Sequence, residues 1–312
     1  MAPAALTLVA FLAFGPGWLD GYAGLVAWTL MVQAALSVSY HLVGGIAGQI
    51  HLGHGLFFGL GAYAAALALG AGWPAAAALA LAGACGAAAG ALVCPLLIPL
   101  NGPPFALASL ALVLGAKTLA ANLEAITGGT AGLVLATSTS LAGPLHQAAM
   151  VLAATVWIHR ALFDAPAGRA LRALAADPVA AAGLGLIPNR LRAQTLITAS
   201  ALAALAGGSY PLALGYVSPQ SAFGLETALG PVVAAMIGGV GTRWGPLLGT
   251  VVFIGLQEWL WTRGWQASLG LLGLSLVVVG WVLPRGLAGA AEHIATLFSG
   301  RTNKAQRTSP PA

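Results

Sequence analysis

The chain has 312 residues; 59% are hydrophobic, 6% are charged, and the formal net charge is +5. Soluble domains carry about 25% charged residues, so twelve basic and seven acidic side chains are too few to clothe a soluble fold of this length. The apolar runs are continuous and rich in Ala, Leu and Gly, which excludes the alternating pattern of a β-barrel and predicts an all-α polytopic membrane protein.

Apolar windows fall at 3–19, 21–42, 55–70, 75–99, 104–122, 144–163, 192–214, 224–240, 244–262 and 267–283. They predict about 8–10 transmembrane helices, some short or broken, since a straight span needs roughly 20 residues. The opening "MAPAALTLVAFLAFGPGWLD" lacks the positive region and cleavage motif of a signal peptide. It reads as a short first span or a membrane-lying segment.

The string "GGIAGQIHLGHGLFFGLGAY" (44–63) is apolar, yet it holds seven glycines with Gln49, His51 and His54. Gly44 with Gly48, and Gly55 with Gly59, form two G-x-x-x-G pairs of the kind that let helices approach closely. The glycines also permit a break near 48–54, where Gln49, His51 and His54 would line a cavity and avoid lipid. His51 and His54 share a helix face, but two imidazoles are too few ligands for a structural zinc site, so no metal site is expected. Gln49 and His54, with Ser109 in the 104–122 window, are the candidate pathway or gating residues.

Further along, Cys85 and Cys94 read as small core residues in one apolar run. Lys117 lies near the end of its span and is expected to snorkel. Glu226 starts a span. Glu258 is expected to pair with Arg263.

The one long hydrophilic loop, 164–191, is flanked by Arg160 and Arg192 and is expected in the cytoplasm. Counting outward places "GYVSPQS" (215–221) and "EAITGGTAGL" (124–133), neither with a cation, on the outer side. Arg243, Arg285, Arg301, Lys304 and Arg307 fall inside, both termini are cytoplasmic, and Arg263 is the one exception to the parity. Residues 1–290 form a single transmembrane domain, and 291–312 read as a disordered cytoplasmic tail.

Within the loop, Gly168 to Ala176 predicts a short helix with Arg169 and Arg172 on one face and Leu171 and Leu174 on the next. Asp177 and Pro178 suit the N-cap and first position of a second helix, and Gly185 suits its end. Arginine and leucine would be presented together. The loop either only sets topology or docks a cytoplasmic partner.

These blocks, taken in order, resemble the membrane permease subunits of branched-chain amino-acid ABC importers, of the LivH/LivM type and closer to the M-type member. The resemblance spans about 35 to 287. It rests on "AGQIHLGHGLFFGLGAY", "ITGGTAGL", "GRALRAL" with "AAAGLGL", "GYVSP", "IGGVGTRWGPLLG" and "PRGL". It implies the ABC-importer permease fold and a pathway shared with a homologous permease subunit. It also implies two ATPase subunits on the cytoplasmic face and an extracytoplasmic substrate-binding protein, in a bacterial inner membrane. ATP would be used by the partners, and no cofactor is bound directly.

The resemblance further assigns the ATPase-coupling role to Gly168, Arg169, Ala170, Leu171, Arg172, Ala173, Asp177, Pro178, Ala181, Leu184 and Gly185. Ala175, Ala176, Pro178 and Ala182 stand where relatives are commonly charged, implying a less ionic interface. His51 stands where Ser is common. "LNGPPFAL" (100–107) also departs from the family pattern, so urea or short amides remain alternative substrates. No G-x-x-x-x-G-K-[ST] sequence is present, and no catalytic triad or carboxylate pair stands at usable spacing, so no enzymatic activity is expected. The rival of another class, an ion-coupled carrier or channel, would need ionisable groups deep in the membrane. Nucleic acid is not an expected partner.

Overall fold

In hydrocarbon each backbone N–H and C=O has to be satisfied within its own segment, so long apolar runs fold as helices. The computed structural model describes residues 21–135 and 141–263, together with 270, 273, 274, 286 and 287. The windows at 3–19 and 267–283 and the tail at 291–312 lie outside the described residues.

Helix α1 (Gly21–His41) runs on as a π-helical turn, Leu42–Ile46. Next come α2 (His54–Gly70), α3 (Ala75–Leu97) and α4 (Pro103–Asn122). A short α5 (Glu124–Thr127), a 3-10 turn (Gly129–Ala131) and β1 (Leu133–Val134) follow. Then come α6 (Ala142–Asp164), α7 (Pro166–Ala176), α8 (Pro178–Gly183), α9 (Pro188–Gly208) and α10 (Tyr210–Leu214). Last are β2 (Tyr216–Val217), α11 (Pro219–Ala222), α12 (Leu225–Gly238) and α13 (Gly245–Trp261).

Among the described residues, five helical stretches are long and apolar enough to cross a membrane, or six if α6 and α7, bent by 71°, count as one. The chain is the all-α polytopic protein that its composition implies. Helix α9 starts earlier than the apolar window because Pro188 opens it and its first turns carry Arg190 and Arg192. Arg192 is buried there and donates to Asn101 Oδ1 at 2.8 Å, tying α9 to the α3–α4 connection.

Helices α2, α3 and α9 meet backbone to backbone. A Cβ on Gly61 would collide with the Ala204 carbonyl of α9, and one on Gly207 would collide with the Phe58 carbonyl of α2. Gly86 of α3 faces Ala204 and Ser200 in the same way. Lipid tails are as apolar as leucine, so helices gain by close van der Waals contact, and small residues permit it.

The two predicted glycine pairs behave differently. Gly55 lies against Ala228 of α12, with a Cβ 3.2 Å from its backbone, and Gly59 lies beneath the Phe223 ring. Gly44, by contrast, sits under Tyr40 of its own helix, while Gly48 has φ +69° and abuts Ala175. The first pair therefore shapes the break after α1, and of its two members Gly48 is the one that meets another helix, at Ala175 of the later helix Pro166–Ala176. The break itself lies where expected: regular helix stops at Ile46 and resumes at His54.

Two loops from distant parts of the chain join at one end. Leu133 pairs with Val217 and Val134 with Tyr216, antiparallel. Leu135 N–H donates to Gly215 O at 2.8 Å, and Tyr216 Oη–H donates to Ala131 O at 2.8 Å. Gly132, at φ +76°, leaves room for the Val217 carbonyl. The strings "ITGGTAGL" and "GYVSP" are thus the two halves of one clasp. At the opposite end, a Cβ on Gly238 would collide with the Gly245 carbonyl, and one on Gly249 with the Ala234 carbonyl. That contact explains Gly238, Gly245 and Gly249 of "IGGVGTRWGPLLG", while Gly239 and Gly241 take positive φ in the turn. The cysteines are unpaired, with Cys94 buried and Cys85 half-buried.

Replacing Gly61 with Val should push α2 off α9 and destabilise the chain by about 1–3 kcal/mol, as overpacking does. Thermal unfolding in detergent measures this; Gly115→Val, where nothing lies near, should leave the midpoint unmoved.

Candidate functional site

The loop folds as two short helices, and each boundary has a cause. Pro166 opens α7. Asp177 caps α8, its Oδ1 accepting from Val179 N–H at 2.9 Å and Ala180 N–H at 3.0 Å. Gly185 has φ +81° and ends α8: its N–H donates to Ala182 O, and Leu186 N–H reaches Ala181 O. This double bond is the Schellman arrangement, which the left-handed glycine makes possible.

Arginine and leucine are not presented together on α7. Leu171 and Leu174 are buried against the body of the protein. Gly168 packs so tightly on the last turn of α6 that a Cβ would collide with the Leu162 carbonyl. Arg169 donates to Asp164 O and Arg172 to Phe163 O, each at 3.0 Å. The last carbonyls of a helix lack intrahelical donors, so both arginines cap α6. The sequence pattern found the shared face but not this target, because the 71° bend brings the face back onto α6. The exposed apolar groups are instead Val179, Leu184 and Ile187, at 83%, 81% and 60%. Ala170 is half-buried, Ala173 and Pro178 are exposed, and Ala181 is buried.

The root of this loop joins three further elements. Arg172 lies over the Phe163 ring at 4.5 Å and Arg243 over the same ring at 5.6 Å. Arg243 also pairs with Asp164. Arg160 lies over Trp244 at 4.1 Å. Below them, Gly241 N–H donates to His41 Nε2 at 3.0 Å, and His41 Nδ1 lies 2.8 Å from His159 Nε2. Because Nε2 of His41 accepts, the proton of the neutral ring is on Nδ1, which donates to His159. These histidines link α1, α6 and the α12–α13 turn; His159 was not singled out from the sequence.

Gln49, His51, His54 and Ser109 lie at the break after α1 and on α4, and do not line the cavity at the far end described below. All four are buried. His51 and His54 face each other with Nδ1 atoms 3.0 Å apart, and His51 stacks on Phe57. Ser109 accepts from Leu52 N–H at 3.0 Å and donates to Ala106 O at 2.8 Å, fastening the break to α4. Among the described residues no three His, Cys, Asp or Glu side chains gather as metal ligands. Glu258 accepts from Tyr22, not from Arg263, whose guanidinium lies 4.3 Å from the Trp259 ring centroid.

At the end away from the loop, a cavity of about 490 Å³ opens between α1, α2, α4, α10, α11, α12 and α13. Lys117, which the sequence places near the end of its span, and Glu226, in the first turn of α12, both line it. Val32, Leu36, Phe58, Phe253 and Ile254 form its apolar wall.

The apolar spans make the chain a multi-pass membrane protein, and comparison with known proteins gives its class, a transport permease. The chain matches the family described as "Branched-chain amino acid transport system / permease component" over residues 22–283, and it belongs to that family. It is similar to the high-affinity branched-chain amino acid transport system permease protein LivM of Salmonella typhimurium, 27% identical over 90% of this chain and 73% of the relative. It is also similar to LivM of Escherichia coli, 27% identical over 84% of this chain and 69% of that relative. No solved structure matches.

Asp177→Ala removes the cap of α8 and should cost that helix about 1 kcal/mol. Hydrogen exchange across 178–184 should speed up, and Asp177→Asn, which still accepts, should restore protection.

Proposed function

We infer that the chain is a transmembrane permease subunit of an ATP-driven importer of branched-chain amino acids. The observation that carries this reading is the family match over nearly all the spans. The capped loop supports it. Three exposed aliphatic side chains stand together: Val179 on α8, Leu184 at its end and Ile187 just beyond; the preceding helix α7 is fixed to α6 by Gly168, Arg169 and Arg172. An exposed apolar edge on a rigid base suits a protein partner.

In this reading the loop 164–191 faces the cytoplasm and meets one of two ATPase subunits. Leu184 and the exposed faces of Ala173, Pro178 and Gly185 lie at the contact. Leu171, Ala170 and Ala181 hold the loop in shape, and Asp177 keeps α8 wound. A push on α8 passes through Arg172 and Phe163 to Arg243 and the α12–α13 turn. The clasp of β1 and β2 faces outward, where a substrate-binding protein would deliver the amino acid. A homologous permease completes the pathway in a bacterial inner membrane. Residues 1–290 act as one membrane domain, and both termini and the tail at 291–312 lie in the cytoplasm. The chain itself hydrolyses nothing and binds no cofactor; ATP acts on the partner subunits.

Reconstitution tests the reading: uptake should need ATP inside the vesicle and the binding protein outside. Uptake driven by a proton gradient with this chain alone would sink it. Val179→Asp with Leu184→Asp should cut ATPase stimulation by loaded binding protein about tenfold, equivalent to some 1.4 kcal/mol of coupling, with unfolding temperature unchanged.

A further inference from the structure

The cavity at the end opposite the loop carries both signs of charge and an apolar wall. Its volume of about 490 Å³ falls within the range of small-molecule sites, roughly 300–1,000 Å³. The positive side is built from Lys117 and the start of α12, whose Gly224, Leu225 and Thr227 line the space. The first N–H groups of a helix have no intrahelical acceptor and favour an anion. Lys117 makes no ion pair among the described residues.

The negative side is built from Glu226 and neutral acceptors. Gln33 and Gln257 line the cavity, and Gly230 lets the Gln33 amide lie flat on α12, where a Cβ would collide with its nitrogen. Pro231 stands within α12 and has no N–H to give the Thr227 carbonyl. Trp28, in the wall, has an indole N–H without a partner among the described residues.

We propose that this cavity is a binding site for a zwitterionic α-amino acid with an aliphatic side chain, built within this one chain. Lys117 and the α12 N-terminus receive the carboxylate. Glu226 and the amide oxygens of Gln33 and Gln257 receive the ammonium. The side chain lies against Val32, Leu36, Phe253 and Ile254. The site rests on the transport reading for its substrate class, but it places recognition in the permease as well as in any delivering protein.

The test uses the full chain in lipid nanodiscs with L-leucine as probe, and leucinamide, N-acetyl-leucine and urea as comparisons. Leucine should bind saturably, and both derivatives at least about tenfold more weakly, the scale of one lost charged contact. Lys117→Met should weaken leucine but not leucinamide, and Glu226→Gln should weaken leucine but not N-acetyl-leucine. Lys117→Arg should restore discrimination. Purely structural damage would weaken leucine and its derivatives alike and would overturn the assignment. So would the absence of saturable leucine binding, or displacement by urea as strong as by valine. ATP-driven leucine uptake with an unchanged KM in both variants overturns the site and leaves the transport reading standing. Leucine binding without uptake by the assembled complex does the reverse.

Discussion

Backbone contact between α2 and α9 sets the geometry on which the other elements rest. Gly61 meets the Ala204 carbonyl, and Gly207 meets the Phe58 carbonyl. In lipid no water is released when helices meet, so the gain lies in many short dispersion contacts. A seam this close leaves no room for large side chains between the two axes. Rings gather at its margins instead, as Phe58 does on Tyr210 and Tyr63 on Phe223. The break before α2 follows from the same constraint. The chain leaving α1 turns through Gly48, and Ser109 accepts from the half-buried Leu52 N–H, so that α2 enters the seam at the required height.

The second dependence runs from the loop to the spans. Arg169 and Arg172 complete the C-terminal end of α6, where partial negative charge also favours a cation. Phe163 then serves two arginines from different parts of the chain. Through Arg243 and through the His159–His41–Gly241 hydrogen bonds, the same helix end holds the α12–α13 turn. The far ends of α12 and α13 line the cavity that holds Lys117 and Glu226. Two rigid helices therefore connect the loop root with that cavity, and their glycine contact at Gly238 and Gly249 keeps them together.

Much of this was legible in the sequence. Apolar windows located every described span, because composition alone decides what enters lipid. Asp177 and Gly185 read correctly because caps and left-handed turns are local chemistry. The burial of Leu171 and Leu174 was not legible: helical spacing gives a face, but the bend at Ala165 decides what that face meets. Gln49, His51 and His54 are a related case: all three are buried in the break after α1. Polarity in an apolar string marks a cost, and a packed break can carry that cost as well as a cavity. Lys117 and Glu226 are separated by more than a hundred residues, and only the shared end of α4 and α12 brings them to one space.

The two ends of the protein are held by different forces. The loop end relies on guanidinium groups over rings and on an exposed Arg243–Asp164 pair, with side chains 43% and 56% accessible. Exposed ion pairs weaken as dissolved salt screens them. The clasp end is held by backbone hydrogen bonds between β1 and β2, which carry no net charge. Ionic strength therefore loosens one mouth of the molecule and leaves the other as it was, so the side on which the chain gives way first is set by the medium that bathes it.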